Sequence, residues 1–146
     1  MPIIDADAHA NAIARAVRSL ERAGAAAIRF EDSYLDDLHS DADDVTVLPK
    51  TLMVDRIKAA VDVRIDATLV LIARCDSRCR EPLGQVQERL AAYVEAGADA
   101  IGVQLSDVEE FRHVGAGSQA PLVSLWPKAR MSRARAMITT AFGLGA

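Results

Sequence analysis

Five short apolar runs, most of them followed by charged or amide side chains, alternate with stretches of helical period along this chain: Pro2 to Ile4, Ala26 to Phe30, Thr68 to Ala73, Ala100 to Val103 and Leu122 to Leu125. A strand buried on both faces reads as a continuous apolar run, and a helix must carry the chain back before the next parallel strand can start. The pattern therefore predicts repeated βα units around a parallel sheet. Ile13, Val17 and Leu20 form one stripe of a helix over Asn11 to Ala23, with Gly24 placed to end it in left-handed backbone. Pro49 suits the first turn of the next helix, whose Leu52, Ile57 and Val61 would face the sheet. Pro82 opens a third, carrying Val86, Leu90 and Val94 to Gly97. Ser106-Asp107-Val108-Glu109 has capping-box spacing and predicts a short helix from Ser106, and Ser132 is placed to cap a last one. The strings Glu21 to Ile28 and Glu95 to Ile101 repeat one order of helix end, glycine cap and strand start.

A chain of 146 residues fits one domain, 1–146, and can hide roughly 70% of its unfolded surface. Its 51% hydrophobic and 26% charged residues describe an ordinary globule, and a net charge of −4 gives no basic footprint for nucleic acid. No apolar stretch approaches the ~20 residues that span a bilayer, and Met-Pro-Ile-Ile-Asp lacks the basic head of a secretion signal, so no membrane partner and a cytoplasmic location are expected. Cys75 and Cys79 are too few for a disulfide framework and read as two reduced thiols.

The side chains at the ends of the runs carry the functional signal. Asp5 and Asp7 follow the first run, Glu31 and Asp32 the second, Arg74 and Asp76 the third, and Gln104 the fourth. In parallel α/β folds ligands gather at the carboxyl ends of the strands, and acids converging there point to a divalent cation. Simpler roles stand beside this one: Asp5 or Asp7 as a helix cap, Glu31 or Asp32 paired with Arg29 or nearby backbone, and Arg74 in a structural ion pair. Ser33 to Thr46 carries Asp36, Asp37, Asp41, Asp43 and Asp44 with little apolar content, which predicts an exposed, mobile loop. His9, His39 and His113 read as surface or loop residues.

Four strings in order, Pro2-Ile3-Ile4-Asp5-Ala6-Asp7, Ala27-Ile28-Arg29-Phe30-Glu31-Asp32, Leu71-Ile72-Ala73-Arg74-Cys75-Asp76 and Tyr93 to Ile101, resemble consecutive signatures of the isocitrate lyase and phosphoenolpyruvate mutase superfamily over about residues 2–126. The resemblance implies a parallel (β/α) barrel of the TIM type that binds Mg2+ and a small 2-oxo acid or phosphonate. It also implies cleavage or formation of a carbon–carbon or phosphorus–carbon bond next to an enolate. Carried over residue by residue, Asp5 would be the direct metal ligand, with Asp7 and Glu31 on metal-bound waters. Arg74 would meet the substrate carboxylate and, with Glu31, form the catalytic pair.

The chain also departs from the family's pattern. Ala8-His9-Ala10-Asn11 replaces a glycine-rich loop, the segment Ser33 to Thr46 has neither the cysteine nor the lysine of the family's catalytic loop, and Gln104 stands where a glutamate is usual. These departures disfavour the lyase branch without supporting phosphorus–carbon chemistry. A whole barrel takes about 250 residues, so five to six βα units are expected here, a partial barrel covering about strands three to seven. Its open edges call for a homo-oligomer or a barrel-completing partner, the C-terminal segment Ile138 to Ala146 being the alternative cover. Two function classes follow: a divergent Mg2+-dependent lyase or mutase-type enzyme, or a non-catalytic relic or assembly protein that retains the barrel segment.

Overall fold

The computed structural model describes residues 6–34, 46–105 and 107–124. Four parallel strands, β1 (Ala27–Glu31), β4 (Val70–Cys75), β5 (Ala100–Val103) and β6 (Leu122–Ser124), lie in the order β1-β4-β5-β6. Helices α1 (Ala6–Arg22), α2 (Lys50–Val63), α3 (Leu83–Glu95) and α4 (Val108–Ala116) alternate with them. A small antiparallel pair, β2 (Ser33–Tyr34) and β3 (Thr46–Val47), projects beyond the end of β1. Each of these four parallel strands falls on a run expected from the sequence, to within two residues at either end.

The two faces of the sheet differ, and that difference places the site. Ile28, Phe30, Leu71, Ala73, Cys75, Ile101 and Val103 are buried together with Met53, Ile57, Val86, Leu90 and Tyr93 of the helices in one apolar core. Burial of each large aliphatic side chain contributes about 1.5–3 kcal/mol, which is ample to fix the register. The pleat turns the intervening residues to the other, inner face. There Arg29 stands opposite Ile72 and Ala100, and Glu31 opposite Arg74, Gly102 and Val123. Ala27, Arg29, Val70 and Val123 are exposed on that face.

Both left-handed glycines lie where the sequence places them. Gly24 (φ 82°) follows α1 and Gly97 (φ 107°) follows α3, each turning the chain into the next strand. Gly97 has a second reason to lack a side chain, because a Cβ there would lie 2.8 Å from Val61 Cγ2.

Four local expectations change. Helix α1 starts at Ala6 rather than Asn11, so Asp7 sits in its first turn and not in a loop; Ala6, Ala8 and Ala10 are good helix formers and no glycine interrupts them. In α2 the buried residues are Met53, Ile57 and Ala60, while Leu52 and Val61 are half-buried, because the buried stripe is turned one position from the one expected. Helix α4 is capped by Asp107, whose carboxylate accepts from Glu110 N–H, rather than by Ser106. The ends of the acidic segment are paired as β2 and β3 rather than forming a continuous loop.

The first run, the acids Asp36 to Asp44, Leu125, Ser132 and Ile138 to Ala146 lie outside the described residues, as do His39 and Ser106. Among the described residues no helix is long and apolar enough to cross a membrane.

Candidate active site

Strand pairing alone brings two of the expected site residues together. Glu31 ends β1, Arg74 lies one residue before the end of β4, and the parallel register sets them side by side on the inner face. Arg74 Nη1 donates to Glu31 Oε1 at 3.1 Å, and both side chains are about one-fifth exposed. Glu31 Oε1 also receives Arg29 Nη2 at 2.8 Å from two residues earlier on the same face of β1. Arg74 Nε donates to Asp76 Oδ1 at 2.7 Å, and Asp76 Oδ2 accepts from Ser33 Oγ at 3.1 Å. The strand ends thus carry an alternating row of charges, Arg29, Glu31, Arg74 and Asp76, partly withdrawn from solvent. Two of the guanidinium's donors, Nε and Nη1, are engaged by carboxylates.

Directly behind this row Asp32 is fully buried, at 0% exposure. Its Oδ1 accepts the Asp76 backbone N–H at 2.7 Å and its Oδ2 accepts the Tyr93 hydroxyl at 2.7 Å. Arg89 Nη1 lies 3.9 Å from Oδ2, oriented by Glu81 through two bonds of 2.7 Å and by the Leu48 carbonyl at 2.9 Å. Burial pushes the Asp32 carboxyl up from the usual range, and the Asp76 amide, the Tyr93 hydroxyl and Arg89 pull it partly back. The same desolvation, with Asp32 beside it, pushes the Cys75 thiol up to about 12. Cys75 is fully buried and shares a hydrogen bond of 3.1 Å with Ser77 Oγ, so it is a core thiol and not an acid or base for the rim.

The remaining candidates are placed as follows. Asp5 lies outside the described residues, and of Asp7 the structure describes the backbone, in the first turn of α1. Gln104 follows β5 and is exposed. Among the described residues no group of three or more His, Cys, Asp or Glu side chains could hold a metal ion. Glu31 offers hard oxygens at the rim, and both of its ion pairs fall on Oε1. That donor chemistry fits a magnesium ion, which takes oxygen ligands and keeps several of its waters.

The sequence places Asp32 at a strand end beside Glu31 without a defined role and does not single out Arg89, Tyr93 or Glu81 as site residues. A signal for them was present: Arg89 and Tyr93 stand four apart on the border of the apolar stripe of α3, where a buried polar pair needs an acid from another element.

The phosphoenolpyruvate phosphomutase family model matches residues 3–141. The chain is 38% identical over 113 residues to 2-methylisocitrate lyase of Shewanella oneidensis, covering 77% of this chain and 39% of that protein. To 2,3-dimethylmalate lyase of Eubacterium barkeri it is 37% identical over 114 residues, 75% of this chain and 39% of that one. Among solved structures it is similar to phosphonopyruvate hydrolase in complex with oxalate and Mg++, at a TM-score of 0.67 and 28% identity over 80% of this chain and 41% of that one. It is likewise similar to oxaloacetate acetylhydrolase in complex with 3,3-difluorooxalacetate, at a TM-score of 0.71 and 27% identity over 79% and 40%. The chain spans about two-fifths of the length of these relatives.

Proposed function

This chain belongs to the phosphoenolpyruvate phosphomutase family, within the isocitrate lyase and phosphoenolpyruvate mutase superfamily and with a partial (β/α) barrel fold, and from that premise we propose that it is a Mg2+-dependent lyase or mutase-type enzyme. The substrate class is a small 2-oxo carboxylate or phosphonate, and the reaction passes through an enolate. The observation that carries this reading is the Arg74–Glu31 pair at the ends of neighbouring parallel strands.

Arg74 binds the substrate carboxylate. Because Nε is committed to Asp76, the carboxylate meets the Nη end of the guanidinium, and the planar fork fixes its orientation. Glu31 and Asp76 hold that fork in place, which lowers the ordering cost of binding. Asp5, Asp7 and Glu31 would be the residues that hold the magnesium ion. When bound, the ion supplies the positive charge that stabilises an enolate oxygen. Arg29 pairs with Glu31 at the rim and restrains its rotation.

The inner face needs a cover, since parallel sheets are closed on both sides. Among the described residues the sheet has four strands, and Ala27, Arg29, Val70 and Val123 are exposed on its inner face. The partner we assign to this face is a second copy of the chain or a barrel-completing chain, and sedimentation equilibrium giving only monomer would remove the first of these. A cytoplasmic location belongs to the same reading and is supported by the free thiol of Cys75.

One observation favours the alternative of a non-catalytic relic: the four rim charges pair with one another. The two readings separate in an assay of the purified chain with Mg2+ against 2-methylisocitrate, 2,3-dimethylmalate, oxaloacetate and phosphonopyruvate, following formation of 2-oxo acid or phosphate. Turnover of any of these that chelator abolishes supports the enzyme. No turnover of any of them, with the fold intact, supports the relic.

A further inference from the structure

We infer that Asp32 is the positioning residue of the rim: its buried carboxylate fixes the end of β4 and so holds the Arg74 guanidinium in the direction from which it meets a ligand. The inference rests on the reading of Arg74 as the carboxylate contact only for its consequence on binding. The positioning itself stands on geometry.

Asp32 ties the end of β4 to the residue after β3 and to α3. Its N–H donates to the Arg74 carbonyl at 3.1 Å, and its carbonyl accepts Leu48 N–H at 2.7 Å. Its Oδ1 takes the Asp76 amide and its Oδ2 the Tyr93 hydroxyl of α3. Residue 76 is thus held by its main chain from behind while its side chain holds Arg74 Nε from in front. Freed from Oδ1, the Asp76 amide loses its side-chain acceptor, and the Asp76 carboxylate, still met by Ser33 Oγ, holds Arg74 Nε on a backbone that is less firmly fixed. Helix α3 serves as the anchor, because Arg89 is clamped by Glu81 and by Leu48 and in turn reaches Tyr93 Oη at 3.4 Å.

A purely structural acid predicts something different. Leu71, Ala73 and Ile101 already bury the middle of the sheet, and the β1–β4 ladder does not depend on a side chain. The carboxylate acts at the one place where the ladder has ended and the rim begins. An apolar residue in that position would fill the space without holding residue 76.

The test is hydrogen exchange by nuclear magnetic resonance, read at two protons: the Asp76 backbone amide and the Arg74 Nε–H. In the unaltered chain both should be protected and should open together. In Asp32→Ala, with circular dichroism still native, both should lose about tenfold or more in protection while amides in the middle of β4 keep theirs. The same variant should weaken oxalate binding about tenfold, the equivalent of one charge-assisted hydrogen bond. Arg74 Nε–H that exchanges freely in the unaltered chain while the Asp76 amide is protected would overturn the inference, and this measurement decides the matter even if Asp32→Ala does not fold. Unchanged Arg74 protection in a folded Asp32→Ala would overturn it equally. If the unaltered chain binds no oxalate, the proposed function fails, and the exchange experiment still reports on Asp32 independently.

Discussion

Arg74 Nη1 lies 3.1 Å from Glu31 Oε1 across the β1–β4 register, while Arg74 Nε lies 2.7 Å from Asp76 Oδ1 on its own strand end. One guanidinium therefore bridges two strand ends and is held on two of its donors, which makes it a rigid, charged feature of the inner face. Arg74→Lys keeps the charge but loses the fork. It should leave the melting temperature within a few degrees, since the pairs are only partly buried and contribute about 1 kcal/mol or less. Oxalate affinity should fall about tenfold or more. Calorimetric titration and thermal unfolding of the same preparation check both statements.

Glu31→Gln removes the negative charge that Arg29 and Arg74 share. Its effect on stability should stay within about 1 kcal/mol. Under the proposed function the Mg2+ dependence of ligand binding should weaken much more than metal-free binding does. Titrations with and without the metal check this, and equal losses in both would separate Glu31 from the ion.

Two acids of the buried network should respond to pH with opposite signs. Burial raises the Asp32 carboxyl above its unfolded value, so the folded chain holds that proton more tightly. The ionised form costs stability above the folded pKa, and this cost is relieved as pH falls toward about 3.9. Arg89 holds the Glu81 carboxyl below its usual range, so that pair's stabilisation is present above about 4.3 and is lost as pH falls through the folded pKa. Urea unfolding across this acid range should show wild type gaining on Asp32→Asn, and losing its advantage over Glu81→Gln, as pH falls. Parallel curves for all three chains would contradict the assignment.

Cys75 should be inert in the native chain. With full burial and a thiol raised to about 12, it should alkylate with iodoacetamide only on unfolding. Trypsin releases Cys75 to Arg78 as a peptide separate from Cys79, so mass spectrometry reads this thiol alone. Rapid native labelling of that peptide would contradict the burial.

The sequence showed the framework because the strands announce themselves: Ala100 to Val103 is apolar throughout, and in the structure every residue of β5 is buried. Glu31 and Arg74 were legible as neighbours at the strand ends because both stand where such a run stops. What the residues did not reveal was reach. The spacing of Arg89 and Tyr93 marks a polar pair but does not say which acid meets it, because the contact with Asp32 some sixty residues earlier is made by the crossover and not by any local pattern. The start of α1 was missed for another reason. The apolar stripe that marks the helix, Ile13, Val17 and Leu20, begins only after Asn11, whereas Ala6 to Ala10 propagate the helix without adding to that stripe. The two left-handed glycines were legible, and they differ in cost: Gly97→Ala should destabilise by about 2 kcal/mol through Val61 and its φ of 107°, and Gly24→Ala, with nothing within 4 Å, by about 1 kcal/mol.

The most direct test of the proposed function is calorimetric titration of the purified chain with oxalate, a stable mimic of the pyruvate enolate, with Mg2+ and then with chelator. The account predicts binding with the metal, none without it, and loss of binding in Arg74→Ala. Absence of heat at millimolar oxalate with Mg2+ present, from a chain that is folded by circular dichroism, would contradict it.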